Sequence, residues 1–350
     1  MNKHPVCCFT FSTVACMVFS FSSHGQIQGD TLTAALQHDS IPVQLYSFIP
    51  KLLEFDYGVY ATDKRTYKRS NGNSYVYIMG PEQLFSVKAA VPIVKIKKKT
   101  SITLGLQYNY YDQPGSLEHS KTAAQSTFQY ASFSRISTTI SHKLSIQNKS
   151  VFLTGSFSFT GEEFWQLNQF NSVLSVSYPL RNTRTTSLMI GINYIYAKYA
   201  TFPVIPSIIY ITKLNTRLHF DAILPSHIKL RYICSDKLYS SAGVKLGSDR
   251  PQYHSKNAIA ISEQMELRNA TFTFFLQTEY HLGGLFWMSA EIGYRYLTTS
   301  RLSDPNRAAN DYYIQAKNEG SAYGNVGLFL RPPLKMVLSK LKQSKERSTK

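Results

Sequence analysis

The chain's nearest approach to nucleophilic chemistry is the run Tyr253-His254-Ser255-Lys256-Asn257. A hydrolase needs an imidazole within hydrogen-bonding reach of the serine hydroxyl it deprotonates. Here the serine follows the histidine directly, and consecutive strand residues point to opposite faces, so His254 does not activate Ser255 within one regular strand. The run reads as a polar loop. Nine histidines are present, yet none falls in a close His/Cys/Asp/Glu cluster with metal-ligand spacing. His142, His219 and His281 stand at or near the ends of candidate strands, where an imidazole is ordinarily an interface residue. No Walker-type glycine loop, calcium-binding repeat or nucleotide fingerprint occurs. The pattern carries no expectation of a catalytic residue, a metal site or a cofactor.

The remaining chemistry lies in charges that a period of two would place on one face. Between Leu285 and Thr298, the residues Phe286, Met288, Ala290, Ile292, Tyr294 and Tyr296 form an apolar face, which turns Glu291 and Arg295 to the other side. A three-residue turn at Leu282-Gly283-Gly284 would set Glu279 on that same side, opposite Trp287. Lys229, Arg231, Lys245, Glu54 and Asp56 follow by the same rule. Inside a closed barrel these residues make a lumen of mixed sign. Such a lumen is either a salt-bridged plug, since desolvated charges must pair, or a water-filled passage that filters weakly by charge.

The elements that must position them are strands. In Ser101 to Tyr111, Ile102, Leu104, Leu106, Tyr108 and Tyr110 alternate with Thr103, Gly105, Gln107 and Asn109. Ser187 to Ala197 repeats the pattern. Further candidates are Leu53 to Tyr60, Phe85 to Lys95, Phe128 to Leu144, Val151 to Thr160, Asn171 to Leu180 and Ser207 to Lys213. Arg217 to Leu224, His227 to Cys234, Leu238 to Gly247, Arg268 to His281, Leu285 to Thr298 and Ser321 to Arg331 bring the total to fourteen. The intervening tracts alternate between short ones, such as Arg181 to Thr186, and long ones, such as Ala61 to Leu84 and Ser248 to Leu267. That asymmetry marks an antiparallel transmembrane β-barrel with short periplasmic turns and long outer loops. Pro225-Ser226 is very tight for an outer loop, and merging the strands around it would give twelve.

Composition points the same way. Charged residues make up 17% and aromatics 13%, with 24 Tyr and 21 Phe, a mix suited to aromatic girdles. A secreted all-β sandwich shares the alternation but not the two-sided loop asymmetry. Lys3, the apolar run Val6 to Phe21 and the polar Ser22 to Gln26 have a signal peptide's layout. The run is shorter than the roughly 20 apolar residues of a spanning helix. The expected organisation is a signal peptide over 1–25, a periplasmic segment over 26–50, the barrel over 51–331 and a basic tail over 332–350. Cys7, Cys8 and Cys16 leave with the signal, and Cys234 alone excludes an internal disulfide. A lipobox at Thr13 to Cys16 is a weaker alternative, because the apolar run continues past the cysteine. Export also sets aside nucleic acid as the partner of a formal charge of +17.

After Pro332-Pro333, Leu334, Val337, Leu338 and Leu341 recur with helical spacing. Lys335, Lys340, Lys342 and Lys345 surround them, which predicts either a short helix held on anionic headgroups or a disordered polar tail, since so short a helix is marginal in water. Outer-membrane lipids and lipopolysaccharide are the expected partners, the latter through the basic stretches Thr62 to Arg69 and Thr299 to Arg307.

The run from Phe220 to Tyr232, FDAILPSHIKLRY, is followed by Ser235-Asp236-Lys237, a strand, and Gly247-Ser248-Asp249. It resembles the Leu-Pro-Ser hairpin of a Gram-negative family of outer-membrane barrels catalogued as a domain of unknown function. The resemblance covers nearly the whole mature chain and implies a barrel, without implying an activity or site residues. The expected function is a narrow pore or small-solute binding channel integral to the outer membrane. A non-conducting barrel acting through its loops is the alternative, and a lipid-modifying enzyme is a distant third.

Overall fold

In the computed structural model, the structure describes residues 51–69, 74–79, 81–96, 99–112, 115–117, 130–146, 149–197, 200, 202–249, 252–254, 264–304, 311–318 and 320–332. The expected signal, periplasmic segment, lipobox and nearly all of the tail, with Lys335, Lys340, Lys342 and Lys345, lie outside the described residues.

Nineteen strands occur among the described residues. They are β1 (Leu53–Tyr60), β2 (Asp63–Arg69), β3 (Ser74–Met79), β4 (Glu82–Ile96), β5 (Thr100–Asp112), β6 (Gly115–Leu117), β7 (Tyr130–Ile146), β8 (Lys149–Gly161), β9 (Leu167–Asn182) and β10 (Thr186–Tyr196). Then follow β11 (Val204–Lys213), β12 (Leu218–Leu224), β13 (His227–Ile233), β14 (Leu238–Asp249), β15 (Gln252–His254), β16 (Gln264–Gly283), β17 (Phe286–Ser303), β18 (Ile314–Asn318) and β19 (Ser321–Leu330).

Fourteen of them, β1, β4, β5, β7 to β14, β16, β17 and β19, pair antiparallel each to the next. β1 closes the ring on β19, from Leu53 opposite Leu330 to Tyr60 opposite Tyr323. Closure leaves the wall without an edge. The twelve-strand alternative fails at Pro225-Ser226, where β12 and β13 are separate strands with Ile223 opposite His227. Pro225 and Ser226 connect these two strands of seven residues each.

The period of two decides which side chains go inward. On β17 the outward set Phe286, Met288, Ile292, Tyr294 and Tyr296 is exposed, while Trp287, Ser289, Glu291 and Arg295 are buried. Phe55, Tyr57 and Val59 on β1, Leu104 and Leu106 on β5, and Ile190, Ile192, Tyr194 and Tyr196 on β10 continue the exposed apolar face around the ring.

Two expectations are corrected. The turn between β16 and β17 is tighter than three residues, because Gly283 (φ 147°) and Gly284 (φ 56°) adopt left-handed backbone that glycine accepts without a Cβ clash. Trp287 therefore stands opposite His281, and Glu279 opposite Ser289.

The long outer tracts, read as loops, also contain strands. β2 and β3 lie in one, with β6, β15 and β18 in others. They build a second series of pairings: β6, the next strand after β5, pairs with β3, which is followed by β2, β18, β17, β16, β15 and β7, and β7 pairs back to β5. The single pair Gln252–Ser132 joins β15 to β7. This series uses pieces too short to show a period. Tyr111, Ala131, Phe133, Leu267 and Leu302, with Leu84 packed against them, form a buried apolar cluster at that end.

Candidate functional site

The inner face of the wall gathers the charges into chains that cross between strands. Near the short-turn end, Arg331 sits just beyond β19 and donates both guanidinium nitrogens to Glu279, at 2.9 and 3.1 Å. Lys51, just before β1, pairs with Glu54 and lies 4.0 Å from Glu279. Lys88 on β4 reaches Asp56 at 3.3 Å and Glu54 at 3.7 Å. Across this end, Trp287 stacks on His281, Tyr239 and Phe329, with ring centroids 4.6, 5.4 and 6.1 Å away. Its indole N–H donates to the Arg331 carbonyl at 3.2 Å. Lys51 stands 4.2 Å above the Phe329 ring, a cation–π contact that tethers the two ends of the wall.

At mid-height, Lys245 on β14 donates to Glu291 on β17 at 2.5 Å, passing over the strand between them. The Tyr323 hydroxyl donates to the same carboxylate oxygen at 2.6 Å. Tyr323 stacks on Tyr60 at 5.4 Å, and the Arg295 guanidinium lies 3.7 Å above the Tyr60 ring. Arg295 in turn donates to Glu82. On the strands next to β14, Lys229 and Arg231 of β13 face Asp221 of β12, at 3.8 and 3.7 Å. Near the outer end, Gln169 of β9 donates to Glu266 of β16 at 2.5 Å, and Arg268 pairs with the same Glu266.

The structure thus places Glu54, Asp56, Glu279, Trp287, Glu291, Arg295, Lys229, Arg231 and Lys245 on the inner face. Glu291 and Arg295 do not pair with each other. Each reaches past its own neighbours to a partner on another strand.

Sequence reasoning missed Lys51 and Glu82, which lie outside the predicted strands, so no alternation placed them; it also did not single out Arg331, the last residue of the predicted Ser321 to Arg331 strand, although it shares the parity of the buried Phe329. Lys88 and Asp221 carried a usable signal: each sits inside a predicted strand on the face opposite the aromatics. The Tyr253 to Asn257 run is interrupted, since His254 ends β15 and Ser255 to Asn257 lie outside the described residues. Among the described residues, no three His, Cys, Asp or Glu gather as metal ligands would. Cys234 is a free thiol.

A closed antiparallel wall that is apolar outside and charged inside satisfies its backbone internally and presents hydrocarbon only to lipid. This chain is an outer-membrane β-barrel. No protein-family model matches it, including that of the family its Leu-Pro-Ser hairpin resembles, and no curated protein sequence is similar to it.

Among solved structures, an outer-membrane channel from Pseudomonas putida F1 is similar at 9% identity and a TM-score of 0.37, covering 81% of this chain and 96% of that one. Outer membrane phospholipase A from Escherichia coli shares 12% identity over 77% of this barrel chain and 96% of its own, with a TM-score of 0.29. A FadL homologue from Pseudomonas aeruginosa shares 10% over 84% and 92%, with a TM-score of 0.28. These likenesses are too distant to bear on function. The barrel assignment rests on strand pairing and on the two faces of the wall.

Proposed function

We propose that the barrel is a narrow, water-containing channel for a small solute and acts without catalysis. The observation that carries this reading is the state of two inward lysines. Lys88 and Lys245 keep 44% and 42% of their side chains accessible to solvent, although both project from the inner face. A salt-bridged plug would bury both members of each pair to exclude water. In these two pairs the lysine stays wet, which favours a hydrated lumen. The test is single-channel conductance of the purified protein in planar bilayers, where discrete openings support the channel.

A second reading has its own observation. The pairing of β15 with β7 and the apolar cluster around Tyr111 and Phe133 narrow the outer end, which suits a non-conducting barrel that acts through its outer surface. Silent bilayers with a correctly folded barrel would select it. Contact of the basic outer strands with lipopolysaccharide phosphates fits either reading.

A further inference from the structure

The charges on the inner wall nearly balance by count, yet they are not at the same depth. Lys88 is 44% exposed while its partners Glu54 and Asp56 are 15% and 11%. Lys245 is 42% exposed against 6% for Glu291, and Lys229 is 20% against 1% for Asp221. The cause is side-chain length. Aspartate and glutamate end close to the wall, whereas a lysine's four-carbon arm carries its ammonium past its partner, furthest into water at Lys88 and Lys245.

A solute in the lumen approaches the ammonium groups more closely than the carboxylates behind them, so the nearer charge dominates the short-range field it meets. We infer that the lumen presents a positive inner surface, carried by Lys88, Lys229 and Lys245 over a sequestered layer of carboxylates, and that it prefers small anionic solutes. Lys229 and Lys245 stand on the adjacent strands β13 and β14, and Lys88 on β4, with β16, β17, β19 and β1 between, so the surface is contributed by two separate parts of the ring. Each ammonium already neutralised by a carboxylate can still donate its remaining N–H groups to a carboxylate or phosphate oxygen.

This inference rests on the channel reading, and the experiment separates the two. Wild-type protein is placed between asymmetric potassium chloride solutions in a planar bilayer, and the reversal potential is read. The expected result is chloride preference of several-fold, with the current reduced by millimolar inorganic phosphate. Lys88→Gln with Lys245→Gln should move the reversal potential toward zero and abolish the phosphate effect, while unheated gel mobility still reports a folded barrel. A conducting wild type that is unselective or prefers potassium overturns the anion preference and leaves the channel standing. Folded wild type that never conducts overturns both.

Discussion

The Arg295 guanidinium on β17 donates to both carboxylate oxygens of Glu82 on β4, at 2.9 and 3.5 Å, with each side chain 5% exposed. Two wall strands, β19 and β1, separate their backbones, so the pair braces the inside of the barrel just beneath the outer series of pairings. Breaking one member of a buried pair strands the other's charge. Glu82→Gln should therefore destabilise by about 3–5 kcal/mol, read as a lower temperature for loss of the fast-migrating folded form in unheated gels. Replacing both with apolar residues of similar volume should recover most of that loss.

Gly293 makes the Glu291 site possible. Tyr323 stands opposite Gly293, and a Cβ built there would lie 2.8 Å from the Tyr323 ring and 2.0 Å from the Phe274 carbonyl oxygen. The absent side chain lets the tyrosine cross the strand to reach Glu291. Gly293→Ala should cost about 1–3 kcal/mol by overpacking and break the Tyr323–Glu291 bond. Urea-dependent unfolding in detergent checks the cost.

Glu291→Gln removes the charge that Lys245 and Tyr323 share. Lys245 is hydrated and loses little, while the Tyr323 hydroxyl keeps only a neutral acceptor. The expected destabilisation is about 1–3 kcal/mol, with anion preference increased in the reversal-potential measurement. Unchanged selectivity together with unchanged stability would show that Glu291 does not line the lumen.

The two tryptophans report on opposite environments. Trp165, between β8 and β9, is 78% exposed, and Trp287 is 3% exposed within its stack of His281, Tyr239 and Phe329. In Trp165→Phe protein, emission should be blue-shifted and poorly quenched by acrylamide. Arg331→Ala, which removes both bonds to Glu279, should red-shift it.

Location supplies the broadest test. The protein should sediment with outer membranes and migrate faster unheated than boiled. Recovery in a carbonate-soluble fraction would contradict a membrane wall.

The sequence by itself determined the wall. An alternation such as Ile190, Ile192, Tyr194 is a local property that survives whatever the strand pairs with, and apolar residues on one face of fourteen strands leave a closed barrel as the arrangement that satisfies every backbone group in lipid. It also determined which face Glu291, Arg295 and Lys245 occupy, because parity follows from the backbone. It did not determine their partners. Whether Arg295 meets Glu291, four residues away on its own strand, or Glu82, far away in sequence, depends on shear and side-chain reach around a closed ring, which no local pattern encodes. The outer series of pairings escaped for a related reason. β6 and β15 are three residues each, too short to express a period, and only the approach of other strands, β3 to β6 and β7 and β16 to β15, gives them something to pair with.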